Sequence, residues 1–384
     1  MKKILFALVA AVAVLTSCSD KVYEELNTDP TKSLAADPNS QLTFAQLETY
    51  GHMGVVDMYR LYLYAFTQHL MGCWNTTNYG GQHRADDNEM TRLWYNLYPN
   101  AINNLVDGIE AVKNDSNQVN IHAAMRIYKV YIFSLLTDIY GDIPYSEAGQ
   151  GLNGIANPKY DTQKDIYKDF FKELKKAEAE FDGSKFAITS DVMYNGDIEA
   201  WKRFSASLRL RLAMRISKVD AEWAKKEAED AVGYCFSNAS EQALVKHMKV
   251  SFSFGQEAYS DFRGNAMSKY FYGNDPQNNP TYICSTFWRQ LVENNDPRTN
   301  MYCRFYLDDW MSVISPEGRI DMTDAMMSDR ENGNDYVSLV RPGEFSWDDW
   351  PDYGKVDVES NTAGKVADVK KIHPDWNENE NPRW

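Results

Sequence analysis

The chain has 384 residues, enough for one large domain or two ordinary ones, and its 43% hydrophobic content predicts a packed core instead of disorder. Its acidic side chains outnumber its basic ones and give a formal net charge of −15 at pH 7. Such a surface repels phosphate backbones and anionic lipid headgroups, so nucleic acid is not an expected partner.

The N-terminus predicts export and a lipid anchor. Lys2 and Lys3 precede an apolar stretch at residues 4–15, which is shorter than the about 20 residues needed to span a bilayer but suits a signal peptide. The stretch leads to Cys18 and resembles the lipobox of bacterial lipoproteins. We therefore expect residues 1–17 to be a lipoprotein signal peptide and Cys18 to carry lipid such as palmitate. The alternative is an ordinary signal peptide with an incidental cysteine.

The body of the chain predicts helices. Residues 18–40 are polar and rich in Asn, Asp and Pro, as in a lipidated tether, and residues 41–236 form a predicted helical scaffold. Apolar residues recur there at spacings of three and four, and Thr162, Asp197 and Asp220 are candidate N-caps. Helices of this length with short polar connections stack as antiparallel pairs. The expected fold is mostly α, a tetratricopeptide-like scaffold of helical pairs, although no strict repeat consensus is visible.

The last part of the chain, residues 237–384, predicts long loops and a few short strands laid over the scaffold. Residues 250–254 alternate as a strand does, and clusters of Pro, Asn, Asp and Gly follow. Cys284 and Cys303 are candidates for a disulfide, and buried free thiols are the alternative. No His or Cys spacing typical of a metal site occurs, so neither a metal nor a cofactor is expected.

The most specific motif is the run from Asp138 to Ala148, DIYGDIPYSEA. Gly141 can close the preceding helix in a left-handed conformation, and Pro144 prevents its continuation. This run resembles one that marks the SusD/RagB family of Bacteroidetes outer-membrane lipoproteins. Further runs that resemble family landmarks, in the same order, are Asn27–Thr31, Ala200–Arg215 and Asn295–Arg298.

The resemblance covers the chain from its lipobox to about residue 310 and implies a location and partners. SusD-like proteins are lipid-anchored in the outer membrane, facing the cell surface, where they bind oligosaccharides, or sometimes peptides. They hand the ligand to a TonB-dependent (SusC-like) barrel transporter. Family members usually extend further and end in a region that has no counterpart here, which puts the last helices and transporter docking in question.

Sugars present flat CH faces and rings of hydroxyls, so their binding surfaces combine exposed aromatic planes with planar hydrogen-bonding groups. Two segments have this composition: residues 74–84 and residues 302–310. Most aromatic side chains of the protein must pack between helices, which is the alternative for each candidate. The candidate ligand-binding residues are Trp74, Asn75, Tyr79, Arg84 and Trp310.

Enzyme activity is not expected. Adjacent acids such as Asp86 and Asp87 resemble paired catalytic carboxylates only in composition, since neighbouring acids on loops are usually solvated. No nucleophile or phosphate-binding motif occurs. The leading hypothesis is a surface glycan-binding lipoprotein that supplies a TonB-dependent transporter. The alternatives are a docking or structural partner of the transporter without its own ligand site, and a secreted hydrolase.

Overall fold

A computed structural model describes residues 36–72, 76–248, 263–267, 281–302, 306–307 and 320–321, and the structural statements below concern these residues. The protein is mostly helical, as the sequence predicts. The helices are α1 (Pro38–Gly51), α2 (Met53–Met58), α3 (Tyr64–Phe66), α4 (Asp87–Met90), α5 (Arg92–Asn96), α6 (Asn103–Val112), α7 (Val119–Tyr140), α8 (Gln163–Glu180), α9 (Ile198–Arg215), α10 (Ala221–Ala231), α11 (Ser285–Glu293) and α12 (Thr299–Tyr302).

Some connections between these helices are π-helical turns, which are wider than an α-helical turn, or 3₁₀ turns, which are tighter. The π-helical turns are Tyr59–Leu63 between α2 and α3, Thr77–Gly81 after α3, and Leu97–Ile102 between α5 and α6. The 3₁₀ turns are Gly151–Asn153, Val232–Tyr234 and Ala239–Glu241.

The short strands pair in twos between loops and do not form a central sheet. The antiparallel pairs are β1 (Leu70–Gly72) with β4 (Thr281–Ile283), β2 (Ile143–Pro144) with β3 (Tyr160–Asp161), and β5 (Tyr306–Leu307) with β6 (Ile320–Asp321). Ladders of two or three residues contribute little stability alone. Their effect is to fix which loops are neighbours.

The predicted N-caps are confirmed. Thr162 accepts a hydrogen bond from the backbone N–H of Asp165 at 3.2 Å, and Asp220 accepts one from Trp223 at 3.0 Å. Asp197 accepts two, from the N–H groups of residues 199 and 200. Each cap satisfies donors that the first helical turn leaves unpaired, typically contributing about 1 kcal/mol.

The core is centred on α7, whose side chains are buried on nearly every face. α8 runs antiparallel to it, because Arg126 near the start of α7 pairs with Glu173 and Glu180 late in α8. At the other end of the pair, Asp138 accepts a hydrogen bond from the Tyr167 hydroxyl near the start of α8. α9 packs on α8, and α10 returns along α9 as a second antiparallel pair. Successive helical pairs are the predicted tetratricopeptide-like arrangement.

The Asp138–Ala148 motif ends α7 as expected, with one difference. Gly141 is the C-cap residue and has a positive φ of 77°, but its ψ of −121° lies outside the left-handed helical region. The chain must turn here into the extended β2 strand, which contains Pro144. Tyr145 then packs edge-on against Phe133 of α7, with ring centroids 4.8 Å apart.

Two sequence predictions about the later chain lie outside the described residues. These are the strand at 250–254 and the Cys303 partner in the disulfide alternative. Cys235, at the end of α10, is a half-buried free thiol. Among the described residues, no helix is both long and apolar enough to cross a membrane.

Candidate functional site

The loop that follows α3 is held tightly against the helix before it. Its π-helical turn, Thr77–Gly81, approaches so closely that a Cβ on Gly80 would lie 2.7 Å from the backbone oxygen of Leu61. The loop then folds back, since the N–H of Arg84 donates to the Tyr79 carbonyl at 2.9 Å. Only glycine fits such an approach. Gly80 therefore allows the Thr77–Gly81 turn to pack directly on the backbone of the preceding π-helical turn.

Two predicted ligand-binding residues come together on this loop. Tyr79 is half-buried, with its ring 5.9 Å from that of Tyr62, and the Arg84 guanidinium lies 5.1 Å from the Tyr79 ring centroid. The Tyr62 hydroxyl donates to the Arg84 carbonyl at 3.1 Å and so fixes the backbone below the guanidinium. The Arg84 side chain is exposed. The pair is a cation–π contact at the protein surface.

A second stacked pair lies beside it. Phe66, at the end of α3, is 46% exposed and stacks on the His83 ring with centroids 5.4 Å apart and an interplanar angle of 17°. His83 is exposed and has a positive φ of 53°. We call Phe66, Tyr79, His83 and Arg84 the first aromatic group. Phe66 was not predicted from the sequence, although its place at the end of an amphipathic helix directly before a polar loop is a usable signal.

The β1–β4 pair brings the second predicted segment to the same region. The N–H of Cys284, just after β4, donates to the carbonyl of His69, just before β1, at 3.0 Å. The exposed His69 ring lies 4.5 Å from the ring of Phe287 on α11. Phe287 in turn lies 6.3 Å from Tyr302, the first residue of the predicted segment 302–310.

Tyr302 is exposed over half of its surface and carries its own stacked guanidinium. Arg298 lies 5.6 Å from the Tyr302 ring centroid and pairs with Asp296 through hydrogen bonds of 2.9 and 2.6 Å. This pairing lowers the pKa of the Asp296 carboxyl to about 2. We call His69, Phe287, Arg298 and Tyr302 the second aromatic group, and both groups together the aromatic surface.

The other predicted site residues are not placed by the structure. Trp74 and Asn75 lie outside the described residues, between β1 and Thr76, and Trp310 and Cys18 are also outside them. The nearest described residues on either side are Gly72, the last residue of β1, and Thr76, which precedes the Thr77–Gly81 turn.

The nearby acids have structural roles. Asp86 accepts a hydrogen bond from the N–H of Glu89 at 3.2 Å and is the N-cap of α4. Asp87 is exposed in the first turn of that helix. Within the described part of the chain, no group of three or more His, Cys, Asp or Glu residues could hold a metal ion.

The structure combines a scaffold of antiparallel helical pairs with aromatic rings exposed on its loops. Residues 31–315 match a SusD-like family described as starch-binding and associating with the outer membrane. The chain belongs to this SusD-like family, as its motifs predict. Comparison with curated protein sequences finds no match.

Solved structures show the same relationship. A SusD-like protein from Bacteroidetes AC2a is 55% identical, with a TM-score of 0.73 over 91% of this chain and 66% of that one. A chitin-binding protein is 36% identical, with a TM-score of 0.61 over 70% of this chain and 55% of that one. A SusD homologue from Bacteroides ovatus, at 19% identity and a TM-score of 0.55, shares the fold. The chain thus spans less than two thirds of the length of the first two relatives.

Proposed function

We propose that the protein is a glycan-binding lipoprotein of the outer membrane that captures oligosaccharides on the aromatic surface. The observation that carries the proposal is the clustering of the exposed Phe66 and Tyr302 rings with guanidinium groups that lie over the rings of Tyr79 and Tyr302. Aromatic planes suit the CH faces of sugars, and guanidinium groups donate to their hydroxyls. Since the rings are held by packing and hydrogen bonds before any ligand arrives, little ordering cost remains for binding.

The charge pairing of the arginines supports a ligand role for Arg84. No carboxylate among the described residues pairs with its guanidinium, which leaves up to five N–H donors for a ligand. Other described arginines are engaged in ion pairs with carboxylates. These are Arg60, Arg92, Arg126, Arg203, Arg209, Arg215 and Arg298.

The relatives support a carbohydrate ligand. The family is described as starch-binding, and the relative that is 36% identical is a chitin-binding protein. Oligosaccharides of starch and chitin are therefore the first ligands to test. Two acids near the aromatic surface have partners in the structure, since Asp86 caps α4 and Asp296 pairs with Arg298.

The remaining parts of the proposal concern the membrane. Cys18 carries the lipid that anchors the chain to the outer membrane, and the body faces the cell surface. There it delivers oligosaccharides to a TonB-dependent (SusC-like) transporter. The lipobox and the family description as associating with the outer membrane support this arrangement.

Affinity electrophoresis of a soluble form that lacks residues 1–18 tests the ligand role. Gels that contain starch or chitin derivatives should retard this form. Tyr79→Ala and Arg84→Ala should each weaken the interaction about 3- to 10-fold, corresponding to a loss of roughly 0.6–1.4 kcal/mol of stacking or hydrogen bonding. Trp74→Ala should also weaken it. Tyr234→Ala is the matched control, since Tyr234 is an exposed tyrosine on the turn after α10.

Absence of binding across a broad panel of glycans and peptides would contradict the ligand role. Co-purification of the intact protein with a barrel transporter, without such binding, would instead support the docking alternative. Release of sugars from a polymer, abolished by removal of one acid, would support a hydrolase.

A further inference from the structure

A second exposed aromatic feature lies away from the aromatic surface, where β3 meets α5. The Tyr160 ring of β3 stacks on Trp94 of α5, with centroids 6.1 Å apart and an interplanar angle of 26°. Trp94 is itself fixed by Tyr98 at 4.7 Å and by the edge of Tyr140 at 5.5 Å. The stack is therefore built on the scaffold, and we call Trp94 and Tyr160 the outer stack.

The outer ring of this stack is open to a ligand. Tyr160 is 64% exposed, and its hydroxyl has no hydrogen-bond partner among the described residues. The β2–β3 pair holds its backbone opposite Pro144, whose carbonyl accepts a hydrogen bond from Tyr98 at 2.6 Å. One face of the ring packs on Trp94, which leaves a fixed aromatic plane at the surface.

The chain neighbours of Tyr160 carry hydrogen-bonding groups. Lys159 is exposed, and its Nζ lies 3.9 Å from Glu147 and 3.8 Å from Asp161. Both distances exceed those of hydrogen bonds, so the ammonium donors remain available. The neighbouring residue of Trp94, Tyr95, is 75% exposed on α5.

This composition favours a sugar over a protein partner. The centre of a protein interface is usually depleted of charge and belongs to a patch of about 800 Å² on each partner. Here the exposed feature is a single fixed ring whose chain neighbours are a lysine and an aspartate, a composition that suits a hexose ring and its hydroxyls better than the apolar centre of a protein interface.

The chain order relates the outer stack to the aromatic surface. Two residues lie between Arg84 and the start of α4, and Thr91 alone lies between α4 and α5. The Tyr140 hydroxyl, beside the outer stack, donates to the carbonyl of Met90 in α4 at 2.7 Å. Along the chain, the single turn of α4 thus lies between the loop of the first aromatic group and the helix that carries Trp94.

We propose that the outer stack is a second glycan subsite, which binds a distant unit of the oligosaccharide whose other end occupies the aromatic surface. This inference rests on the proposed function and adds a preference for longer chains. Two subsites on one ligand raise its apparent affinity, because the second contact forms at a high effective concentration.

Titration calorimetry with chitin oligosaccharides and the matching maltose series, from dimer to hexamer, tests the inference. In the wild type, affinity should rise with length beyond the dimer. Tyr160→Ala should lower hexamer affinity about 3- to 10-fold and leave dimer affinity unchanged. Tyr160→Phe, which keeps the ring, should retain most of the hexamer affinity, and Tyr234→Ala should behave as wild type.

The outcomes separate the two proposals. If the wild type binds and Tyr160→Ala binds the hexamer with unchanged affinity, the outer stack is not a subsite and the proposed function stands. If the wild type binds neither series, both are overturned for these glycans. Thermal unfolding of Tyr160→Ala provides the structural control. If the Tyr160 ring only covers Trp94, the substitution would lower the stability of the protein without changing how affinity depends on oligosaccharide length.

Discussion

Glu48 lies on α1 with no exposed surface, and its Oε1 accepts a hydrogen bond from the Asn100 side chain at 3.0 Å. Burial raises the pKa of this carboxyl to about 7, although the hydrogen bond from Asn100 acts in the opposite direction. The folded protein therefore holds a proton on Glu48 that the unfolded chain, with an ordinary pKa, releases at lower pH.

This difference predicts a pH-dependent loss of stability. Between about pH 4.5 and pH 7 the folded state binds more protons at Glu48, so the free energy of unfolding falls as pH rises through that window. Each pKa unit corresponds to about 1.4 kcal/mol, so the full loss is roughly 3 kcal/mol above pH 7. Glu48→Gln should remove this part of the pH dependence, measured by urea unfolding at pH 5 and pH 8. Glu110→Gln, an exposed change on α6, is the control, and equal slopes in the two variants would contradict the assignment.

At the scale of single residues, the ligand-binding roles of the residues named from the sequence remain predictions, and the structure shows which of them are neighbours. Tyr79 and Arg84 do meet, because both lie on one short loop whose composition is visible in the sequence. Phe66 and Phe287 were not predicted. Their neighbours, His83 and His69, are brought to them by folding, and no local pattern records such proximity.

At the scale of elements, local signals were sufficient for the long helices. The capping side chains are Thr162, Asp197 and Asp220, and each is followed directly by apolar residues at helical spacing. The first residue of the helix and its buried face are therefore both encoded within a few residues. The π-helical turns and the three-residue strand β1 show no such period, because each is too short to contain more than one or two repeats of a pattern. Gly141 shows the limit of cap prediction, since its ψ depends on the strand that follows.

The Thr77–Gly81 turn provides a test of how an element supports the site. Gly80→Ala would place a Cβ 2.7 Å from the Leu61 backbone oxygen, so the loop must shift. We expect a loss of roughly 1–3 kcal/mol in the free energy of unfolding and weaker retention in glycan-containing gels. Gly81→Ala is the matched control, because the closest atom to its Cβ would be the flexible end of Met71. Equal behaviour of the two variants would contradict the close approach.

At the scale of the whole molecule, the sequence predicted the mostly helical, SusD-like fold because several motifs occur in family order along one chain. The assignment of residues 1–17, 18–40, 41–236 and 237–384 to separate regions remains a prediction. The lipid anchor also remains one, because its evidence is the lipobox alone.

The anchor has a direct test in cells. Cys18→Ala removes the thiol that would carry the lipid, so the variant should fail to incorporate radiolabelled palmitate and should leave the membrane fraction. Cys235→Ala, at the end of α10, should incorporate label as the wild type does. Labelling of the Cys18→Ala variant at the wild-type level would exclude lipidation at this residue.

The β1–β4 pair connects residues that are roughly 200 positions apart in the chain, with Leu70 opposite Ile283. Closing so long a loop has an entropic cost, and only three residue pairs are gained in return. We therefore expect this ladder to form after the helical pairs during folding and to open before them during unfolding. The contacts of the second aromatic group would then break and re-form while the helical scaffold stays folded. Amide protons of β1 and β4 should exchange with solvent faster than those of α7, and a ligand that bridges both aromatic groups should slow that exchange selectively.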